Sequence, residues 1–336
     1  MYMNFSNKTK LTIAFSSILL LLLTLLISLI HRDSFEDADT IISNLGNNAG
    51  FYSMFFFTVN HYIYCKKQKK NFVIQSDDWL FKSNRGWEDY FQKTELKNLD
   101  RVNMKTLGHS NVIEDYPIIE YQKAIPELYV YNEKTKEEIK STKNKFGLID
   151  GEYDSIFIRR GDKLGEESNF ITEEKYIDLL LKKKSNCKTI FLQTDDYNCY
   201  KKIEEIIKNR QLNIKLHTLC NDDSYGVVVH NRQKGILNES ANNNETNKAY
   251  LSTIIDKLNN TKPVEEMNGE EKYRHSMDMI VGIDIVLSSH TCITDYQSNV
   301  SRFIKLAHKT PQNVFDIDSS TNELDYNKII CPAFSF

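Results

Sequence analysis

The stretch Ile156-Phe157-Ile158-Arg159-Arg160-Gly161-Asp162-Lys163 decides how this chain is read. Strand-forming apolar residues run directly into two arginines, a glycine, an aspartate and a lysine. A buried strand that ends this way presents fixed positive charge at one edge of a sheet. In open α/β sheets, ligands bind at the carboxyl ends of the strands, and arginine grips phosphate through a planar, bidentate fork. The residues point to a phosphate site, with a diphosphate leaving group as the natural candidate. The competing reading is a solvated loop cluster in which these cations pair with Glu166 and Glu167. Adjacent side chains at a strand end point opposite ways. One arginine is then expected to face a ligand, and the other the core or Asp162.

Working outward, strand-like and helix-like segments alternate. Residues 41–44 read as a short strand, 51–66 as a long aromatic buried helix and 72–75 as a strand. Gly86-Trp87-Glu88 opens a short helix or turn. The Lys- and Glu-rich residues 131–145 read as a solvated helix or a linker between two halves. Beyond the strand at 155–158, helices are expected at 172–184, 200–208, 273–282 and 298–308. Strands are expected at 189–193, 214–219, 283–287 and 313–317. The polar stretch near 238–268 reads as a surface insertion with one short helix at 249–258. Such alternation predicts a parallel α/β architecture, with an N-terminal half over 41–145 and a C-terminal, nucleotide-sugar-binding half over 150–336.

The chain has 336 residues and a formal net charge of -3. That length accommodates two domains, and the near balance of acids and bases offers no nucleic-acid-binding surface. Residues 11–30 form an apolar run interrupted only by Thr and Ser. As a helix the run spans roughly 30 Å, the thickness of a bilayer's hydrocarbon core. Lys8 and Lys10 precede it, and His31, Arg32, Asp33, Glu36 and Asp37 follow. The positive-inside rule then predicts a type II single-pass protein. Residues 1–10 would be a cytosolic tail, 11–30 the anchor and 31–40 a short linker. The catalytic part would be luminal, Golgi- or ER-like, or otherwise extracytosolic. A cleaved signal peptide is the alternative, disfavoured by the length of the run and the lack of a small-x-small site after it.

None of the six cysteines shows C-x-x-C spacing, which argues against a zinc site. A luminal domain can carry disulfides, but spacing assigns no pairs. Asn238, Asn244, Asn259 and Asn299 open N-x-S/T sequons. The first three fall in the polar stretch, whereas Asn299 sits in a candidate site region. No phosphate-binding G-x-x-x-x-G-K-[ST] loop, no G-x-S-x-G elbow and no H-x-x-x-H pair is present.

With these motifs in place, the chain resembles the α1,6-fucosyltransferases, which include the core and the bacterial nodulation enzymes. Their central motif, His-Val-Arg-Arg-Thr-Asp-Lys with a Glu a few residues on, is similar to Phe157-Ile158-Arg159-Arg160-Gly161-Asp162-Lys163 with Glu167. Phe170 and Tyr176 fall where the family has Phe and Tyr. Asn48-Ala49-Gly50, Phe72-Val73-Ile74-Gln75-Ser76, Trp79 and Gly86-Trp87-Glu88 resemble the family's first domain. Phe191-Leu192-Gln193-Thr194-Asp195-Asp196 resembles its Thr-Asp-Asp strand end. Asp278 and then Ser298-Asn299-Val300-Ser301-Arg302 resemble its nucleotide-contacting helix and Ser-Ser-x-x-x-Arg block. The blocks keep the family's order across roughly residues 41–307. The chain departs from the pattern at Phe157, where the family has His, and at Gly161, where it has Thr. Asp295-Tyr296-Gln297 replaces a small-residue run. The coiled-coil stem and SH3-like domain of animal members find no counterpart, so their mode of binding a large N-glycan is not expected.

The resemblance implies a GT-B-like fold of two Rossmann-like halves with a cleft between them, here preceded by one N-terminal transmembrane helix. It implies inverting transfer of fucose from GDP-fucose to a glycan hydroxyl, with α1,6 linkage. The other readings are O-fucosyl or other GDP-sugar transfer on the same scaffold, and an inactive membrane-tethered glycan-binding protein. Arg159 is expected to hold the diphosphate, unless it serves only as an ion-pair partner of Asp162 or Asp195. Glu167 is expected to be the general base with Lys163 beside it. Arg160, Asp162, Tyr176, Asp195, Asp196, Asp278, Ser298, Asn299 and Gly50 are expected to bind GDP-fucose. A carboxylate such as Asp278 can accept from guanine N1–H and its 2-amino group. The pair Asp195-Asp196 invites a metal reading, but the resemblance implies metal independence, no cofactor and cations at the diphosphate instead.

Overall fold

The computed structural model of the chain describes residues 39–46, 49–94, 104–108, 113–114, 116–161, 170–231, 233 and 245–318. The expected anchor at 11–30, Asp162, Lys163, Glu167, Asn48, the sequons at Asn238 and Asn244, and Cys331 lie outside the described residues. Among the described residues no helix is long and apolar enough to cross a membrane. Cys65, Cys187, Cys199, Cys220 and Cys292 are free thiols.

Two parallel sheets organise the chain. The first has the order β2-β1-β3, built from β1 (Thr40–Asn44), β2 (Asn71–Gln75) and β3 (Met104–Leu107). The second has the order β6-β5-β4-β7-β8. Its strands are β4 (Asp154–Ile158), β5 (Thr189–Thr194), β6 (Lys215–Thr218), β7 (Cys292–Thr294) and β8 (Val314–Asp316). The strand order reverses at β4, between β5 and β7, and such a reversal is where open α/β sheets bind ligands.

Helix α1 (Phe51–Gln68) explains the aromatic run, since its side chains are buried almost all round. It starts after Gly50 and ends where Lys69 adopts a left-handed conformation, with Lys66 and Lys67 in the last turn against the negative end of the helix dipole. Phe51 packs 4.8 Å from Trp79, and Trp87 stacks 4.1 Å from Phe91, centroid to centroid. The second sheet is packed differently. Ile156, Ile158, Ile190 and Leu192 meet the apolar stripes of α4 (Glu173–Lys183) and α5 (Tyr197–Asn209) in an aliphatic cluster.

Several expectations need correction. Residues 283–287, read as a strand, complete helix α7 (Gly269–Leu287), and the strand is the shorter β7 that follows. A five-residue apolar run carries no period that separates strand from buried helix, and α7 is buried on several sides. Of the two readings of residues 131–145, the solvated helix holds and the linker does not: α3 (Glu133–Phe146) is capped by Asn132, ends at Gly147 and packs on α7 with Ile139 buried. Strand β3 and helix α2 (Ile118–Leu128), which contains Pro126, were not expected. The helix expected at 249–258 is present as the longer α6 (Glu245–Asn260), but it is not a surface feature throughout, since its Ile254 and Leu258 are fully buried against Val228.

The halves share one core. Helix α8 (Asn299–Ala307), from the C-terminal half, packs on α1 and α2, with Phe303 4.6 Å from the Tyr52 ring. The carboxyl ends of β1, β4 and β5 open onto a common cleft of about 1640 Å³, lined from both halves by residues such as Gly50, Tyr52, Arg159 and Ser298.

Candidate active site

Side-chain alternation along β4 sorts its end into two faces. Phe157 packs in the core shared by the two halves and lines the cleft with Arg159, whereas Ile156 and Ile158 pack in the aliphatic cluster behind the sheet, with Ile158 also bordering the cleft. The Arg159 guanidinium meets Asp195 at 2.9 Å, both side chains being largely buried. Asp195 also accepts from the Arg160 backbone N–H at 2.8 Å and the Val227 N–H at 3.3 Å. The carboxylate therefore fixes Arg159 to two backbone segments, a rigid mount for a cation facing the cleft.

The backbone at Gly161 calls for glycine. Its φ of +61° suits glycine, and an added Cβ would fall 2.8 Å from the Val227 nitrogen. The backbone of Gly226, at φ +116°, lies directly against it. The loop after β6 therefore rests on the arginine motif, with Gly226 N–H donating to the Asp195 carbonyl at 2.7 Å.

Arg160 turns the other way. It is 1% exposed and does not line the cleft. Its guanidinium donates to the Ile171 carbonyl at 2.5 Å and to Glu173 at 3.0 Å. It also stacks 4.5 Å from the Phe170 ring centroid. Tyr176 and Asp196 share this buried side, so three of the expected donor-binding residues sit behind the sheet. Tyr176 donates to Asp295 at 3.0 Å. Asp196 caps α5, accepting from Asn198 N–H at 2.9 Å, and accepts the Tyr250 hydroxyl from α6. Burial pushes the Asp196 carboxyl up to about 6, with neighbouring Asp195 and Glu173 adding to the effect and Asn198 N–H and Arg160 opposing it. Burial likewise pushes Asp295 up to about 6, against the opposing pull of Tyr176 and Gln297 N–H.

The other expected residues reach the cleft: Asp195, Asp278, Ser298, Asn299 and Gly50 line it with Arg159. Ser298 and Ser301 form a capping box at the start of α8, whose positive end lies at the cleft. Asn299 accepts from Arg302 at 3.1 Å, which occupies its sequon side chain in the site. Asp278 is exposed on α7, and its carboxyl is raised by desolvation and by Glu138.

Sequence reasoning missed His275, Gln193 and the loop after β6. His275 lies one turn before Asp278 on α7, and both line the cleft. Burial, reinforced by nearby Arg159, drives its imidazole down to about 4, so it is neutral at physiological pH. The i, i+3 spacing of His275 and Asp278 was a legible sign of one helix face. Among the described residues no three His, Cys, Asp or Glu side chains are placed to hold a metal.

No protein-family profile matches the sequence, and no curated protein matches it. Solved structures do. The structure of fucosyltransferase NodZ from Bradyrhizobium superposes with a TM-score of 0.51 and 8% identity, covering 84% of this chain and 96% of that one. A NodZ α1,6-fucosyltransferase structure soaked with GDP-fucose gives 0.49 and 8%, covering 81% and 93%. At this identity the likeness is one of fold. The chain has the GT-B-like α/β fold of the NodZ fucosyltransferase, two parallel-sheet halves around a shared cleft.

Proposed function

We propose that this chain is a glycosyltransferase that moves fucose from GDP-fucose to a glycan hydroxyl with inversion, forming an α1,6 linkage. The observation that carries the reading is Arg159. It lines the inter-half cleft at the strand-order reversal, held by Asp195, and the positive end of α8 lines the same cleft. The fold likeness to NodZ supports a nucleotide-sugar donor there.

In this mechanism the acceptor oxygen attacks the anomeric carbon while the bond from that carbon to the β-phosphate oxygen breaks. GDP leaves carrying the electron pair, and Arg159 with the α8 terminus stabilises the charge that develops on it. The acceptor proton passes to Glu167, which with Lys163 follows Gly161 in sequence. Asp278 accepts from the guanine edge, and His275 adds a neutral hydrogen-bonding group beside Arg159. Metal independence fits the occupancy of the two aspartates. Asp195 is engaged by Arg159 and two backbone N–H groups, and Asp196 by Asn198 N–H and Tyr250. Residues 11–30 would tether the enzyme to a membrane with its cleft on the extracytosolic side.

The test is release of GDP from GDP-fucose, measured with and without glycan acceptors and with EDTA. The reading expects GDP-fucose to be consumed in preference to UDP- and CMP-sugars, with EDTA leaving the rate unchanged. Loss of activity in EDTA and its return with Mn²⁺ would replace the metal-independent mechanism. Alkaline washing should leave the full-length chain in the membrane fraction.

A further inference from the structure

Helix α6 lies in the stretch whose composition reads as a surface insertion, yet it is bound to the arginine motif. Ile254 and Leu258 are fully buried against Val228. One turn earlier, Tyr250 donates its hydroxyl to Asp196 and stacks on Phe170, ring centroids 4.6 Å apart. Phe170 in turn stacks on the Arg160 guanidinium, which also lies 5.7 Å from the Tyr250 ring. Arg160 is one residue from Arg159, and Asp196 is one residue from Asp195. Tyr250 therefore touches both residues that stand directly behind the Arg159–Asp195 pair, one through its ring and the other through its oxygen.

We propose that Tyr250 is a positioning residue for the donor site, fixing the backbone at 159–160 and 195–196 so that Arg159 is held on the departing diphosphate. This rests on the proposed GDP-sugar reading and adds to it a contribution from a helix outside the arginine motif. Tyr250 does not line the cleft, so it acts through its neighbours.

The geometry gives the role a signature that simple packing lacks. The Tyr250 O–H stabilises the ionised form of Asp196. The groups facing that carboxyl are Asp195 beside it, Arg160 from the end of β4, Glu173 on α4, Cys199 on α5 and Cys220 after β6. Arg160 favours the ionised form, whereas Asp195 and Glu173 oppose it. Removing the hydroxyl leaves the rest of this set in place and moves the carboxyl further upward.

The experiment compares full-length wild type with Tyr250→Phe and Asp196→Asn, using GDP binding by calorimetry and the pH profile of GDP release from GDP-fucose. Tyr250→Phe keeps the ring stack. It should bind GDP within about twofold of wild type, lose about tenfold in kcat, and shift its acid limb to higher pH. Asp196→Asn keeps the helix cap and should flatten that limb, a second reading should the first variant fold poorly. An unchanged kcat and acid limb in folded Tyr250→Phe would overturn the positioning role alone. A wild type that neither binds GDP nor releases it from GDP-fucose would overturn the functional reading, and this role with it.

Discussion

The two faces at the end of β4 carry neighbouring arginines to different fates. On the cleft face, Arg159 pairs with Asp195 and borders a cavity open to ligand. On the opposite face, Arg160 is fully enclosed by Glu173, the Ile171 carbonyl and the Phe170 ring. Each cation has a carboxylate built in beside it, but the Arg159–Asp195 pair borders the cleft, where an arriving charge can reach it, whereas the Arg160–Glu173 pair is sealed behind the sheet. The difference follows from strand alternation alone. It teaches that a doubled arginine at a strand end divides its labour between binding and architecture.

The sharpest way to break this comparison is Arg160→Met. It leaves the Glu173 carboxylate buried without its partner, which typically costs about 3–5 kcal/mol. Urea denaturation should show the loss, and a stability equal to wild type would refute the architectural assignment. Arg159→Lys tests the other face. It keeps the charge and should change stability by less than about 1 kcal/mol. It should nevertheless lower turnover of GDP-fucose about a hundredfold or more, because lysine lacks the planar fork. Near-normal turnover would remove Arg159 from the diphosphate.

Gly226→Ala probes the backbone contact that seats the β6 loop on the motif. Its φ of +116° and the close approach of Gly161 leave no room for a methyl group, and a cost of about 1–3 kcal/mol is expected. A smaller effect concerns His308, which is buried at the C-terminal end of α8 and whose imidazole burial drives down to about 4. The folded state disfavours its protonation, so its contribution to stability is full above pH 6.5 and is lost as pH falls toward 4. Asp196 and Asp295, raised to about 6, act in the opposite sense, because their contribution is fullest below the ordinary carboxylate range. His308→Gln should therefore reduce the drop in melting temperature between pH 7 and pH 5. An unaltered drop would assign the acid loss elsewhere.

Much of the fold was legible because strand patterns end in abrupt polar signals. Ile156 to Asp162 and Phe191 to Asp196 each pass from apolar to charged within a few residues, and both strand ends stand at the cleft or directly behind it. The assignment of each side chain to a face was less legible. Neither sequence nor resemblance carries depth, so Asp196 and Tyr176 read as ligand contacts, whereas both lie buried behind the sheet. Helix α6 was legible as a helix at 249–258, but its burial was not, because its window is dominated by Asn, Lys and Glu. Its packing lay in three residues, Tyr250, Ile254 and Leu258, spaced every fourth position as one helix face requires. Residues 283–287 misled for the opposite reason, since uniform burial erases periodicity.

The central claim, that Arg159 anchors a guanosine diphosphate site, is tested most directly by calorimetric titration of GDP, UDP and CMP into wild type and Arg159→Lys. Selective binding of GDP by wild type, weakened at least tenfold in a folded Arg159→Lys variant, is the predicted result. GDP binding that is absent from folded wild type, or equal in the two proteins, would contradict it.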